Sequence, residues 1–368
     1  DAVRSFPSPP SAVRPLGGPL ALLIIGSIIG TLGSAHAAPL RAVDGLVPLS
    51  GICEASGAAL GHDGVAWIVD DDQEGKVFRW LPGTLDVLAL PLPQLDGKAP
   101  IKDPEGVAVA GDQSLWITGS HALSKSGKLK RRSSVVRVDQ KNDVINIQTA
   151  QRLRPKKGED ALRPLNAGLA AVCSRCTLQP SAASDREGEA LNIEGMAIIE
   201  DGGPPGLYLG LRAPLIDHHA LVFSLPPAAL LEEASAAPVP VGSATLLDLG
   251  GRGVRALAPA KGGGMLIIGG PTKDGDKDRL GAVLYHWMPG GQPAILGTLP
   301  LGPSDAMPEA LISTDVRTAW ILYDEGDRLT SDNSVKAAHR DAKGEFSCGA
   351  GDAAGATDPW AHAQRIEW

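Results

Sequence analysis

The sequence of 368 residues has few aromatic side chains, few cysteines and no excess of basic residues. Aromatic residues make up 4% of the chain, and the formal net charge is −8 at neutral pH. A surface that binds nucleic acid or an anionic membrane needs a basic patch, so this charge balance predicts no nucleic-acid partner. The chain also lacks GxSxG, HExxH, Walker A and dinucleotide-binding glycine motifs. This argues against α/β-hydrolases, zinc proteases and enzymes that bind nucleotides or dinucleotides through these motifs.

One apolar run, residues 19–32, is typical of a signal peptide. Arg4 and Arg14 precede it, and the small-x-small sequence "AHA" follows at 35–37. The run is short for a membrane span. We therefore predict a cleaved signal peptide at 1–37, a periplasmic or secreted mature chain and no membrane span after cleavage. An uncleaved anchor is the alternative.

The four cysteines suit the oxidising compartment that such a leader implies. Two of them form the motif "CSRC", and the other two lie near the ends of the mature chain. We predict the disulfides Cys173–Cys176 and Cys53–Cys348, although four cysteines allow three connectivities. Zinc is the alternative for the CxxC pair, but no second pair completes four ligands. Thr177 follows the motif, so a haem-attachment site is absent.

A repeated hairpin predicts the fold. Forty-five glycines and 30 prolines favour many short elements joined by turns. Five segments share a small-apolar strand, a turn and a second apolar strand that opens on a large residue. In four of them this residue, Trp67, Trp116, Leu266 or Trp320, stands 11 positions after the start of the first strand. Two further strand patterns follow most copies, so the unit is about four strands in about 50 residues, as in a β-propeller blade.

The predicted architecture is an all-β propeller of four-stranded blades within a single domain at 42–368. Five blades are visible in the sequence and six are favoured, because the stretch 150–191 contains either a degenerate blade or an insertion. The strand-like segment 42–49 is expected to complete the blade that begins at 309. A β-sandwich is the competing all-β fold, but it does not require a hairpin repeated around the chain.

The repeat also predicts which side chains meet in space. The first strand of a blade lines the central channel and the second returns antiparallel to it, so the start of one and the end of the other lie at the same mouth. The five starts are Ser56, Glu105, Glu194, Arg255 and Glu309. The corresponding ends are Asp71, Ser120, Arg212, Gly270 and Asp324. Glu54, two residues before the first start, shares its face.

Acids and arginines at one mouth indicate a binding site. Clustered carboxylates cannot all stay ionised without a counter-charge, and calcium takes about 6–8 oxygen ligands. We therefore predict a site for calcium or another divalent cation, with Glu105, Glu194 and Glu309 as metal ligands. The predicted catalytic residues are these three glutamates with Arg212 and Arg255. The predicted ligand-binding residues are Glu54, Asp71, Asp324 and His218. The alternative is structural, in which the glutamates accept backbone hydrogen bonds and hold adjacent blades together.

The motifs "PEGVAV", "IEGMAI" with "GLRAP", "GRGVRALA" with "LIIGGP", and "PEALI" with "WILYDEG" resemble a bacterial family of exported proteins, a domain of unknown function. More distantly they are similar to the phytase-like esterase propellers. The resemblance covers most of 50–330. It implies a secreted propeller and, through the more distant relationship, phosphoester hydrolysis, but it brings no catalytic set.

Two functions follow as hypotheses. In the first, the protein is a metal-assisted phosphoester hydrolase in which the glutamates hold the cation or act as base and the arginines clamp an anionic group. In the second, it is a non-catalytic propeller that binds a small anionic molecule or a protein partner at the same mouth. Because propellers serve both roles, the fold alone does not separate these hypotheses.

Overall fold

A computed structural model describes most of the chain after the predicted leader. The described residues are 40–95, 97–124, 129–141, 144–152, 159–184, 186–200, 206–230, 238–273, 280–324 and 361–368. The predicted signal peptide and Cys348 lie outside these ranges. No helix within them is long and apolar enough to cross a membrane.

Twenty-one strands form five antiparallel sheets. Two short strands come first, β1 (Arg41–Ala42) and β2 (Val47–Leu49). Blade 1 contains β3 (Ala55–Leu60), β4 (Ala66–Asp70), β5 (Lys76–Trp80) and β6 (Val87–Pro91). Blade 2 contains β7 (Pro104–Val109), β8 (Leu115–Gly119), β9 (Ser134–Lys141) and β10 (Val144–Arg152).

The remaining blades repeat this order. Blade 3 contains β11 (Asn192–Ile199), β12 (Gly206–Ala213), β13 (Ala220–Leu225) and β14 (Ser243–Leu247). Blade 4 contains β15 (Gly253–Pro259), β16 (Met265–Gly270), β17 (Val283–Trp287) and β18 (Ala294–Thr298). Blade 5 contains β19 (Met307–Asp315), β20 (Thr318–Asp324) and β21 (Ala361–Glu367), with β1 and β2 paired to β21.

The five first strands close a ring around a common axis. Each of β3, β7, β11, β15 and β19 contacts the next, and β19 contacts β3. The ends of the chain share blade 5, where Val47 pairs with Ala363 and Arg41 with Glu367. The predicted propeller of four-stranded blades and its closure by segment 42–49 are therefore confirmed. A sixth blade is not found in the described residues, so that preference is not confirmed.

Burial changes from the inner strands to the outer ones, and the sequence changes with it. Every residue of β4, β8 and β16 is buried, and each strand reads as a continuous apolar run. The outermost strands β6 and β18 expose most of their residues. Inner strands are covered on both faces by neighbouring blades, which is why they lack the alternation of a half-exposed strand.

Five apolar clusters fill the contacts between blades. Trp80 of blade 1 meets Trp320 of blade 5 edge to face, with ring centroids 5.3 Å apart. Tyr208 of blade 3 meets Trp287 of blade 4 in the same way at 6.3 Å. The scarce aromatic residues thus stand where adjacent blades join, because a large ring fills the space between two twisted sheets.

Residues 159–191 lie between blades 2 and 3 in the chain. They form a helix, α1 (Arg163–Val172), with short 3₁₀ turns on either side. Leu165 and Leu169 pack with both blades in one cluster. The disulfide Cys173–Cys176 ends this helix and is as predicted. Cys53 is also disulfide-bonded, but its predicted partner Cys348 lies outside the described residues, so that pairing stays a prediction.

Candidate functional site

A β-bulge stands at the start of every first strand. The register between first and second strands shifts at Ser56, Glu105, Glu194, Arg255 and Glu309, the five starts of the sequence repeat. A bulge leaves one residue out of the ladder and re-aims its side chain. The repeat therefore encodes a backbone device that presents five side chains at one mouth of the channel.

The glycine after the bulge has a packing reason. A Cβ atom on Gly57 would lie 2.8 Å from the carbonyl oxygen of Glu105, and one on Gly106 would lie 2.7 Å from the Cβ of Met196. A Cβ on Gly195 would lie 2.6 Å from Cγ1 of Val254. Each first strand thus passes so close to the next that the residue following the bulge must be small.

On the side of blades 3 to 5, the mouth carries paired charges. Glu194 contacts two arginines, with its Oε1 2.9 Å from Nη1 of Arg212 and its Oε2 3.2 Å from Nε of Arg255. Arg255 also forms an ion pair with Glu309. Glu194 and Arg255 are only 4% and 2% exposed. This paired half, defined as Glu194, Arg212, Arg255 and Glu309, balances two carboxylates with two guanidinium groups.

Neighbouring polar groups hold the paired half in place. The amide of Asn192 donates to Oε1 of Glu194 at 3.0 Å, and Nε of Arg212 donates to the carbonyl of Pro271 at 3.3 Å. Arg212 keeps 12% of its side chain exposed and lies 4.0 Å from Glu187. It is therefore the arginine of this half that a ligand can reach, whereas Arg255 is enclosed.

On the side of blades 1 and 2, the mouth carries an excess of carboxylates. Asp71, Asp103 and Glu105 each offer an oxygen, and these atoms lie within 4.8 Å of one another. We call these three residues the acidic half. Arg132 forms an ion pair with Asp103, and the hydroxyl of Ser120 donates to the same carboxylate. Within the described part of the chain, no side chain donates a hydrogen bond to Glu105.

Two further acids extend this half. Glu54 shares a hydrogen bond with Asp71, and its backbone forms an isolated bridge with Asp324 at the end of β20. Burial raises the pKa of Glu54 far above its ordinary value, and the charges of Asp71 and Asp324 raise it further. Two adjacent buried carboxyl groups are costly to ionise together, so their proximity favours a shared proton.

The pKa values of the acidic half are all raised. Burial raises the pKa of Glu105 well above its ordinary value, Asp103, Glu194 and Asp71 add to the effect, and Arg212 opposes it. Burial also raises the pKa of Asp71, against the hydrogen bond from Glu54. For Asp103, burial outweighs the opposing charge of Arg132. Each raised pKa favours the protonated form of its carboxyl group, and a bound cation would compete with that proton.

Asp70, at the end of β4, holds the loops that carry two of these acids. Its carboxylate accepts the backbone N–H of Cys53 at 2.8 Å and the side-chain amide of Gln73 at 2.8 Å. The residue is fully buried, and burial raises its pKa to about 6. Because Cys53 precedes Glu54 and Asp70 precedes Asp71, one carboxylate fixes both members of the hydrogen-bonded pair.

Three shielded acceptors at the mouth lie outside the network of N–H and hydroxyl donors. Oδ1 of Asp71, Oδ1 of Asn192 and Oε2 of Glu194 accept no hydrogen bond from an N–H or hydroxyl group of the described residues, although Glu54 shares a carboxyl hydrogen bond with Asp71 and Oε2 of Glu194 faces Arg255. Buried polar atoms are nearly always paired, and an unpaired acceptor marks a place for a cation or a donor. The donor set is rich in oxygen and contains no cysteine or histidine, which fits calcium or magnesium.

The sequence repeat found most of these residues, and the structure groups them differently from the prediction. Glu105 joins Asp71 and Asp103, whereas Glu194 and Glu309 contact arginines. The sequence reasoning missed Asp103 and Asn192. Both stand two residues before a strand start, the position that identified Glu54, so the same rule applied to every repeat would have found them.

His218 is placed apart from these contacts. It lies in an exposed turn between Ile216 and His219, with φ of +66°. No contact within the described ranges joins it to either half of the mouth. Its predicted role in ligand binding stays a prediction.

Comparisons with known proteins give similar solved structures at low identity and one family match. Among solved structures, the chain is similar to a PQQ-bound aldose sugar dehydrogenase from Streptomyces coelicolor, at 13% identity and a TM-score of 0.42, over 90% of this chain and 99% of that one. A gluconolactonase from Xanthomonas campestris matches at 14% identity and a TM-score of 0.38, over 78% and 79% of the two chains. The calcium-binding protein regucalcin from Agrobacterium tumefaciens matches at 10% identity and a TM-score of 0.40, over 88% and 95%. These scores are too low to carry an argument about ligand or reaction.

The family comparison concerns blades 3 and 4. No curated protein sequence matches the chain. Residues 174–290 match a family model described as "Protein of unknown function (DUF3616)". This range includes Glu194, Arg212 and Arg255 of the paired half. This match confirms the predicted resemblance to a domain of unknown function over residues 174–290.

Proposed function

We propose that the channel mouth binds a divalent cation through Asp71, Asp103 and Glu105. The observation that carries this proposal is the approach of three carboxylate oxygens to within 4.8 Å of one another. The buried Oδ1 of Asp71, which accepts no hydrogen bond from an N–H or hydroxyl group of the described residues, supports the same position. Hard oxygen ligands favour calcium or magnesium over the metals that cysteine and histidine bind.

The neutralised arginines of the paired half attract an anion only weakly, so we infer that the cation binds first. Arg212 and Arg255 are neutralised by Glu194 and Glu309, so they supply little net positive potential to attract an anion. A small anionic ligand would therefore bind through the cation, with the partly exposed Arg212 as its second contact. This order of binding makes the affinity for an anion depend on the cation.

A metal-assisted phosphoester hydrolase is the catalytic form of this proposal. A bound cation would polarise a phosphoryl oxygen and stabilise the charge that develops on it. The chain's own part is proton transfer, for which the hydrogen-bonded pair Glu54 and Asp71 offers a carboxyl group with a raised pKa. The alternative is a non-catalytic propeller that binds the same cation and an anionic molecule or protein partner.

We also propose export to the periplasm or beyond, which the disulfide Cys173–Cys176 supports.

Calorimetric titration of the chelator-treated protein with calcium and magnesium tests the cation site. We expect Asp71→Asn and Glu105→Gln each to weaken binding by more than about tenfold, or about 1.4 kcal/mol. Asp86→Asn is the matched control, because Asp86 lies in an exposed turn of blade 1 and should leave binding unchanged. Equal affinity in all four proteins would refute the site.

Turnover of p-nitrophenyl phosphate with and without calcium separates the two forms of the proposal. A hydrolase should require the cation and should lose turnover in Glu54→Gln while it still binds calcium. Cation binding without turnover on phosphoesters would favour the non-catalytic propeller.

A further inference from the structure

The channel has a second opening, at the end opposite the mouth. There the five first strands reach the turns that lead into the second strands. A cavity of about 100 Å³ lies inside this end and is lined by residues from all five blades. Its walls include Ala58, Val107, Met196, Leu257 and Ile312, which are apolar and nearly fully buried.

A wider cavity of about 240 Å³ lies over the first one, among the turns of blades 1 to 4. The two cavities share Leu60, Val109 and Ala260 in their walls. His62 and Glu200 line only the wider cavity, and Lys261 lines both. A narrow apolar chamber thus opens into a rim that carries charge.

The two charged side chains of this rim are held differently. Glu200 accepts the backbone N–H of Gly111 at 2.7 Å and so serves to join the turns of blades 2 and 3. Lys261 is exposed, and its ammonium group has no salt-bridge partner in the part of the chain that the structure describes. Its backbone N–H donates to the hydroxyl of Ser313 at 3.2 Å, which places the turn of blade 4 against blade 5. The rim therefore presents an ammonium group that lacks an ion-pair partner among the described residues beside an apolar chamber, while the carboxylate of Glu200 is engaged by a backbone amide.

We propose that this end of the channel binds a small carboxylic acid with a short apolar tail. The tail would lie in the chamber and extend into the wider cavity, since benzene binds in an apolar cavity of about 150 Å³ and the two cavities have volumes of about 100 and 240 Å³. The carboxylate would lie at the rim against the ammonium group of Lys261. A lysine head on a flexible stem, next to apolar walls, suits a carboxylate whose tail is buried beside the stem. This site is separate from the cation site and does not rest on it.

Three six-carbon probes distinguish the parts of the proposal. Calorimetric titration with hexanoate, hexanol and hexylamine compares unbranched six-carbon chains that end in a negative, a neutral and a positive group. We expect hexanoate to bind at least about tenfold more tightly than hexylamine, with hexanol between them and absolute affinities roughly millimolar for so small a ligand. Equal affinity for hexanoate and hexylamine would overturn the role of Lys261.

Variants test the chamber and the charge separately. Ala260→Leu fills the shared wall at a half-buried position and should abolish binding of hexanoate and hexanol alike. Lys261→Met keeps an apolar stem and should remove the preference for hexanoate while it leaves hexanol binding. Arg175→Glu is the control, since Arg175 is 72% exposed and lines neither cavity.

Thermal unfolding of each variant confirms that it is folded before it is titrated. Unchanged hexanoate binding in folded Ala260→Leu would overturn the proposal, as would failure of the native protein to bind hexanoate. Calcium binding at the mouth should be the same in all of these variants, so a failure of one proposal is distinguishable from a failure of the other.

Discussion

The two halves of the mouth use the same backbone device and differ in what balances their carboxylates. In the paired half, Glu194 and Glu309 face Arg212 and Arg255. In the acidic half, Asp71 and Glu105 have no such partner among the described residues, and only Asp103 meets an arginine. The arginines neutralise the carboxylates of the paired half, whereas the carboxylates of the acidic half need protons or a cation to balance their charge.

The difference shows how a repeated element acquires a site. All five bulges re-aim a side chain towards the channel, but the residue there is serine in blade 1, arginine in blade 4 and glutamate in the other three. Replacing a glutamate by Arg255 neutralises its two neighbours and turns that side into a structural clasp. The opposite side, which is furthest from this arginine in the ring order, keeps its surplus of acid.

The largest expected effect of a single change lies in the paired half. Glu194→Gln keeps the side-chain shape but leaves the buried Arg255 with the carboxylate of Glu309 and removes the carboxylate 2.9 Å from Arg212, which should cost about 3–5 kcal/mol in the free energy of unfolding. Denaturant unfolding measures this change. Asp86→Asn is the control, because Asp86 lies in an exposed turn of blade 1. A loss below about 1 kcal/mol for Glu194→Gln would mean that the pairing is not structural.

A smaller effect should appear in the dependence of stability on pH. A carboxyl group whose pKa is higher in the folded state binds more protons there, so the free energy of unfolding falls as the pH rises from the unfolded to the folded pKa. Asp70 has its pKa raised from 3.8 to about 6, and those of Asp71, Asp103 and Glu105 are also raised.

The free energy of unfolding of the chelator-treated protein should therefore fall by about 1–3 kcal/mol as the pH rises from 4 to 7. Saturating calcium should offset this loss, because the cation competes with the protons and binds better at the higher pH. Denaturant unfolding at several pH values, with calcium and with chelator, measures both effects. Stability that rises with pH in the chelator-treated protein would contradict the unbalanced acidic half.

The smallest expected change in stability comes from Glu105→Gln, which contrasts directly with the same substitution at Glu194. Glu105→Gln removes a desolvated carboxyl group that other acids repel, so the chelator-treated protein should gain up to about 1 kcal/mol of stability at neutral pH. The same substitution at Glu194 should destabilise. If thermal unfolding shows both variants equally destabilised, then both glutamates are structural and the distinction between the halves fails.

Much of the fold could be predicted because the repeat is local. The interval of 11 residues, from the start of the first strand to the large residue of the second, predicts a hairpin. The glycine or alanine after the bulge indicates that neighbouring inner strands pass close to each other. Segment 159–191 was harder, since its helix and disulfide carry no repeat signal. The preference for six blades arose there, because a long gap without a hairpin is compatible with either a degenerate blade or an insertion.

The candidate site was predictable in its members and not in its grouping. The repeat selects Glu105, Glu194 and Glu309 as equivalent, since they occupy one position in one motif. Whether each glutamate contacts an arginine or an aspartate depends on the adjacent blade. Glu194 and Glu309 contact Arg255, whereas Glu105 lies beside aspartates. Asp103 was overlooked because its position, two residues before the start, was considered only in blade 1.

The sequence by itself determined that this chain is all-β, that its hairpins recur, and that acids and arginines stand at equivalent places in them, because these properties follow from local periodicity and steric demand. Only the tertiary structure decided the number of blades in the ring and which charges face one another across the channel. Charge pairing acts over a few ångströms between segments far apart in the chain, so it is settled when the ring closes and brings those segments together.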